Sequence, residues 1–207
     1  MLELNLDAIA RTLPEDDVPR WFVVPTLDEP GGRSWAEAMT EVLAPDFTAE
    51  GDLASHEHLL DVLVAAVSQP RTDPFDQRLL YLPFGASSGL VVEVVIVPVA
   101  SDDSDSLATH ARLLGSLAPT SEPILDAQDH PIGLRHFHLV RGEPTAPSDG
   151  GVAASAPDIA VLWSVHRRLV GGIPADVIAT ASSPDAELTV LGLYAYCELV
   201  LDDDLFE

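Results

Sequence analysis

Two histidines that stand two positions apart, His136 and His138, are the residues whose types and spacing most readily suggest chemistry. They lie in HPIGLRHFHLVRG, residues 130–142, which has the alternating pattern of a strand. Because residues i and i+2 of a strand share a face, the two imidazoles could bind one metal ion. A zinc site needs three or four ligands, and the next predicted strand offers only His166 as a third.

The alternative for this pair is structural, with histidines lining the more polar face of an antiparallel sheet. The sequence leaves the register of His166 relative to the pair open. Arg167 and Arg168 directly follow His166, and their positive charge would oppose a nearby cation. We therefore favour the structural interpretation, in which His136 and His138 are half exposed and the protein uses no metal or other cofactor.

The segment GASSG, residues 85–89, matches the G-x-S-x-G pattern of serine hydrolases, with Ser87 as the potential nucleophile. That pattern works where a strand turns sharply into a helix. Here the residues that follow, LVVEVVIVPV, predict a strand, so GASSG is interpreted as a hairpin loop. A nucleophilic Ser87 would have His166 with Asp126 or Asp158 as the partners that the order of residues allows.

The other residues with reactive side chains fit ordinary structural roles. His56 and His58 would fall in the first turn of a helix, where residues two positions apart point to different sides. Cys197, the single cysteine, is predicted to be a small buried hydrophobic residue. We therefore predict no catalytic residue.

The elements that must position these residues follow from the hydrophobic periodicity. Strands are predicted at about 20–25, 78–84, 90–99, 121–127, 132–141, 158–169 and 175–182. Helices are predicted at about 6–13, 34–44 and 55–68, and at a serine- and aspartate-rich segment that begins at 101. Residues 188–201 have helical spacing, but Gly192 weakens the pattern, so the choice between helix and strand stays open there.

The domain organisation is simple. Residues 142–158 are dominated by Gly, Pro, Ala, Ser and Asp, and they are predicted to form a mobile loop because they bury too little apolar surface to offset their ordering entropy. No linker or internal repeat divides the chain. We predict one α+β domain over residues 1–207, with a more helical part at 1–84.

A resemblance is carried by the segments from residue 90 onward. The order VVEVVIVPV, SLATHARLLGSL, PIGLRHFHLV, AVLWSVHRRL, DVIATASSPDAEL and a closing helix resembles the Mog1/PsbP-like α+β family and its LpqN-type bacterial relatives. It covers about residues 90–202, whereas residues 1–84 are longer and more helical than that family implies. The resemblance implies a twisted antiparallel sheet flanked by helices and a binding or accessory role without catalysis. It carries over no residue-level site.

Charge narrows the classes of partner. The formal net charge is -24 at pH 7, and all ten basic residues are arginine. Because a field of this sign repels nucleic acid and anionic membrane surfaces, a protein with a basic surface is the natural partner. The last residues, LDDDLFE, combine acidic and aromatic side chains and are the candidate contact with such a partner: Asp202, Asp203, Asp204 and Phe206.

The first residues indicate where the protein works. They carry acidic and dispersed apolar side chains instead of the basic and apolar regions of a signal peptide. A single cysteine excludes an intrachain disulfide, which fits a reducing compartment. We therefore expect a cytoplasmic protein.

Together these patterns predict a non-catalytic acidic binding or accessory protein that contacts another macromolecule. Two alternatives stay open: a metal-dependent or serine hydrolase, and a structural subunit of a homo-oligomer. Stoichiometric metal would favour the hydrolase. A dimer that dissociates only on unfolding would favour the subunit.

Overall fold

The computed structural model describes residues 21–27, 29–48, 56–70, 77–83, 88–100, 108–109, 112, 121–126, 128–142 and 157–201. The strands are β1 (Trp21–Val23), β2 (Gln77–Tyr81), β3 (Leu90–Pro98), β4 (Glu122–Leu125), β5 (Pro131–Val140), β6 (Ile159–Val170) and β7 (Ile173–Ser183). The helices whose bounds fall in these ranges are α1 (Glu29–Thr48), α2 (His56–Ser68) and α3 (Ala186–Leu199), and residues 108, 109 and 112 are helical as well.

All seven strands form one antiparallel sheet in the order β1-β2-β3-β7-β6-β5-β4. The predicted α+β class, with an antiparallel sheet flanked by helices, is confirmed. Strands β4 to β7 follow one another as a meander, and β7 then pairs with β3 in the middle of the sheet. The last helix therefore starts near the centre of the sheet.

Both faces of the sheet bury apolar side chains. In β2, Leu79 and Tyr81 belong to the core under α3, whereas Leu80 belongs to the core under α1 and α2. We call these the α3 face and the α1–α2 face. Because both of their sides are covered, β3 is apolar almost throughout and β2 is apolar from Leu79 to Tyr81. Each fully buried leucine of this kind contributes about 1.5–3 kcal/mol relative to an exposed one.

Helix α1 begins earlier than the sequence predicts. Residues 26–32, TLDEPGG, have the composition of a turn, and the sequence predicts a helix only from about residue 34, but the helix starts at Glu29 and continues to Thr48. Proline is well accepted in a first helical turn, where Pro30 stands. A Cβ atom at Gly32 would lie 3.1 Å from Val67 Cγ2, so glycine lets α1 lie close against α2. Tertiary packing thus outweighs the local turn signal.

The chain reverses between β6 and β7 through Gly171 and Gly172. Their φ angles are 54° and 76°, as a two-residue type I′ hairpin turn requires, and Val170 pairs directly with Ile173. The two strands therefore extend to Val170 and Ile173, closer to the turn than the predicted boundaries at 169 and 175.

The segment from 188 to 201, left open between helix and strand, is helical through Leu199. Asp185 caps the helix, its Oδ1 accepting a hydrogen bond from the Leu188 amide at 3.0 Å. Gly192 is tolerated because the helix lies tightly on the sheet there, with Leu90 against the glycine.

Several predictions lie outside the described residues. They concern the helix at 6–13, most of the helix that begins at 101, residues 143–156 of the predicted loop, Ser87, and the acidic segment from Asp202 to Phe206. In the part of the chain that the structure does describe, no helix is long and apolar enough to cross a membrane.

Candidate functional site

His136 and His138 share one face of β5, as their spacing predicts. Their ring centroids are 5.3 Å apart, and the His136 ring is 5.6 Å from Trp163, which lies directly opposite it on β6. The expectation of half exposure is wrong for His136, whose relative exposure is 4%. Burial, and then the neighbouring His138, lower the pKa of His136, which favours a neutral ring.

The register places His136 in a row of residues that crosses the α1–α2 face of the sheet. Each member stands directly opposite the next on five neighbouring strands: Arg78, Glu93, Thr180, Trp163 and His136. Four of the five are buried, Thr180 being the partly exposed one. We call this set the polar row.

His166 lies on the other face. It pairs with Gly133 across β5, its ring centroid is 6.4 Å from that of Tyr196 in α3, and it is fully buried. Burial, and then the Arg168 charge, lower its pKa to about 3. His166 therefore cannot join His136 and His138 as a third ligand. Among the described residues, no group of three or more His, Cys, Asp or Glu side chains is placed to hold a metal ion.

The potential partners of a serine nucleophile, Asp126, Asp158 and His166, have structural roles instead. Asp126 Oδ1 accepts hydrogen bonds from the amides of Gln128 and His130, both at 2.8 Å, in the β4–β5 turn. The bond from the His130 amide is the main cause of a lowered Asp126 pKa. Asp158 accepts a hydrogen bond from the Gly142 amide at 3.1 Å. These carboxylates hold the ends of loops through hydrogen bonds, and His166 is buried beneath α3.

Beyond GASSG the chain continues as β3, which pairs with β2 from Leu90 onward. The predicted hairpin is thus confirmed at its two strands. An open groove of about 510 Å³ runs between α2 and the start of β3, and Ser88 and Gly89 belong to its lining. Its walls are mainly small apolar residues of α2, with the carboxylate of Asp61 at one side. The described residues that line this groove include no pair of groups suited to acid and base catalysis.

A more distinctive arrangement lies on the α3 face, at the β4–β5 edge of the sheet. The Arg135 guanidinium pairs with Glu122, its Nη2 lying 3.2 Å from Glu122 Oε2. Its central carbon is 4.6 Å from the centroid of the Tyr194 ring. The Cys197 thiol adjoins the same guanidinium, and burial raises the pKa of that thiol while Arg135 opposes the rise. Arg135 is thereby held from three sides.

A cavity of about 310 Å³ opens beside this arginine, at the lower end of the range of about 300–1,000 Å³ that ligand pockets occupy. We call it the α3 groove. Its lining combines one ion pair with apolar and aromatic walls, formed by Glu122, Arg135, Phe137, Val190, Leu193 and Tyr194. His136 also lines it, although its ring lies on the opposite face of the sheet.

The outer side of α3 borders this groove. Leu191 and Tyr194 are 47% and 50% exposed and lie three positions apart, so they share one side of the helix. Glu187 and Glu198, both exposed, stand four residues before Leu191 and four after Tyr194. We call these four residues the α3 stripe. Cys197 faces the interior, as predicted.

Arg135 lies on the face of β5 opposite the two histidines, as the alternation of side chains along a strand requires. The sequence alone did not predict the groove, because Glu122 meets Arg135 only through the β4–β5 register, and Tyr194 meets it only through the docking of α3. The sequence signal that was present is the aromatic Tyr194 within the largely apolar segment 188–201.

Comparison of the chain with protein-family models, with curated proteins and with solved structures finds no match. The candidate site therefore rests on its geometry alone.

Proposed function

We propose that this chain is a non-catalytic acidic binding or accessory protein that contacts a basic surface of another protein. The observation that carries the proposal is the α3 stripe, in which Leu191 and Tyr194 are half exposed between two glutamates. Exposed aromatic and apolar residues at the centre of a contact, with charged residues around them, are the usual composition of a protein interface. The carboxylates are complementary to lysines and arginines that border an apolar patch.

The charge of the whole chain supports a different protein as the partner. Two copies that each carry a net charge of -24 repel each other before their stripes can meet, so a homo-oligomer is the less favoured arrangement. The same field opposes nucleic acid and anionic lipid.

Two further parts of the proposal come from the sequence. The single cysteine supports a reducing compartment, and so a cytoplasmic protein. The Mog1/PsbP-like resemblance is kept as part of the proposal, because an antiparallel sheet flanked by helices is the architecture that this resemblance implies.

Affinity capture from a lysate of the source cells, at about 50 and 500 mM salt, tests the proposal. Three baits are compared: the wild type, the double variant Leu191→Glu with Tyr194→Glu, and the control Val42→Glu. Val42 is 66% exposed on α1, on the other side of the sheet, so this control adds an acidic residue away from the stripe. A fourth bait without residues 202–207 tests the predicted contact of Asp202 to Phe206.

We expect a protein that is captured by the wild type and by Val42→Glu at low salt, and that is lost with the double variant and at high salt. Equal capture by the wild type and the double variant would contradict the proposed surface. A dimer of this chain that is as stable at low salt as at high salt would favour the structural subunit instead.

A further inference from the structure

We infer, on the basis of the proposed function, that the α3 groove receives one large apolar side chain of the basic partner segment, and that Glu122 at the rim pairs with a lysine or arginine of that segment. The partner is thus a segment in which apolar residues on one side are flanked by basic ones. The groove and the α3 stripe form one continuous surface, because Tyr194 belongs to both.

The walls of the groove suit an apolar side chain. Phe137, Val190 and Leu193 supply apolar surface, and a volume of about 310 Å³ is large enough to admit one large side chain. Apolar or aromatic anchors that fill a pocket of this kind carry much of the energy of protein contacts.

The groove is held open by contacts that exist before any partner binds. Tyr194 lies against the Arg135 guanidinium at 4.6 Å, and Arg135 is fixed by Glu122, with both its Nε and its Nη2 at 3.2 Å from Glu122 Oε2. Because these side chains are already ordered, less conformational entropy is lost when the anchor enters.

The rim charge selects a cation over an anion. The Glu122 side chain is 67% exposed, whereas that of Arg135 is 21% exposed and already faces a carboxylate and an aromatic ring. A cation that approaches from solvent therefore meets Glu122 first. Glu187 and Glu198 border the same surface, and a net charge of -24 opposes a free carboxylate ligand.

Three synthetic peptides are suitable probes. The first is a fluorescent amphipathic helix of leucine and lysine with its leucines on one side. The second has alanine in place of leucine, and the third has glutamate in place of lysine. Fluorescence anisotropy gives the Kd of each peptide for the full chain and its variants, and the melting temperature of each variant confirms that it is folded.

We expect the leucine–lysine peptide to bind the wild type more tightly than either control peptide. Val190→Trp, which fills the groove, should weaken binding about tenfold or more, and Glu122→Gln should weaken it about threefold and reduce its dependence on salt. Val42→Trp, which adds the same side chain on α1, should leave the Kd unchanged. If Val190→Trp does not fold, amide chemical shifts of residues 135, 137 and 194 in the wild type replace it, and they should move with the leucine peptide but not with the alanine peptide.

The results separate the two proposals. If Leu191→Glu weakens binding while Val190→Trp does not, or if the residue 135, 137 and 194 amides stay unmoved, the groove inference is wrong and the proposed surface stands. If neither variant changes the Kd, both are wrong. Tighter binding of the glutamate peptide, or a shift of the groove amides by benzoate alone, would overturn the inference in favour of an anion site.

Discussion

At the scale of single residues, the contacts of the polar row indicate a structural role and not a catalytic one. Arg78 stands opposite Glu93 in the register, and its Nη1 donates a hydrogen bond to the Gln69 carbonyl at 2.7 Å, directly after the end of α2. A guanidinium at the carbonyl end of a helix is electrostatically favourable. Thr180 Oγ1 donates to the Leu162 carbonyl at 3.2 Å. These contacts join β2 to α2 and to β3, and β7 to β6. Because four of the five residues in the row are buried, the row exposes little surface to a substrate.

The two neighbouring histidines should differ in their effect on stability. His136 is buried against Trp163, whereas His138 is only partly buried, so His136→Ala removes more packing. We expect His136→Ala to lower the free energy of unfolding by about 1–3 kcal/mol and His138→Ala by less than about 1 kcal/mol. Urea denaturation of both variants provides the measurement, and equal losses would contradict the packing described for His136.

His166 should remain neutral in the folded protein far below the ordinary histidine range. Its folded pKa of about 3 is below the unfolded value of about 6.5, so between these pH values the unfolded chain binds a proton that the folded chain does not. Above about pH 6.5 this group therefore takes nothing from the free energy of unfolding. As the pH falls from there toward 3, the free energy of unfolding decreases by about 1.4 kcal/mol per pH unit.

Proton NMR of the His166 ring between about pH 7.5 and 5 tests this, with the chain unfolded in urea as the reference for an ordinary histidine at about 6.5. The folded signal should hardly move over that range. A midpoint near 6.5 would mean that water reaches the ring and that α3 does not seal it.

At the scale of elements, the sequence predicted what local pattern determines and missed what depends on neighbours. Strand alternation and helical spacing gave the strands around His136 and the helix before Pro70, because side-chain periodicity follows from the backbone itself. The start of α1 was missed because Gly32 packs on Val67, which is distant in sequence. The α3 groove was missed for the same reason, since it joins β4, β5 and α3.

Gly133 is the element-level position where substitution should be most damaging. A Cβ atom there would lie 2.5 Å from His166 Cβ and 2.7 Å from His166 Cα, so the β6 backbone would have to move. We expect Gly133→Ala to cost about 1–3 kcal/mol and to speed amide exchange along β5 and β6.

Gly172→Ala is the matched control. A side chain at Gly172 meets nothing within 4 Å, and its cost is the strain of φ 76°. That strain should amount to about 1–2 kcal/mol and leave exchange in the middle of β5 and β6 unchanged. Faster exchange in β5 and β6 with Gly172→Ala, or none with Gly133→Ala, would contradict the close approach of the two strands.

At the scale of the whole molecule, the order of the strands explains why the candidate site is at an edge. The meander from β4 to β7 brings the chain inward from the edge to β3, and α3 then folds back over β7, β6 and β5. Glu122 on the edge strand and Tyr194 on the last helix come together around Arg135 only after this return. The surface that we propose for binding therefore exists only once the meander and α3 have both formed.

Salt should have opposite effects on stability and on binding. An excess of negative charge destabilises the compact state through self-repulsion. Salt weakens this repulsion, because exposed charges farther apart than the Debye length, about 10 Å at 0.1 M, are largely screened. Exposed ion pairs such as Arg33 with Glu37 contribute only about 0.2–1 kcal/mol each, so losing them to screening matters less. We expect the melting temperature to rise between about 20 and 500 mM NaCl, while association with a basic partner slows over the same range.

Calorimetry and stopped-flow mixing measure the two effects, with an equal concentration series of a neutral osmolyte as the control. A melting temperature that falls with salt would show that ion pairs outweigh repulsion, and an association rate that does not change would remove the role proposed for the charge of -24.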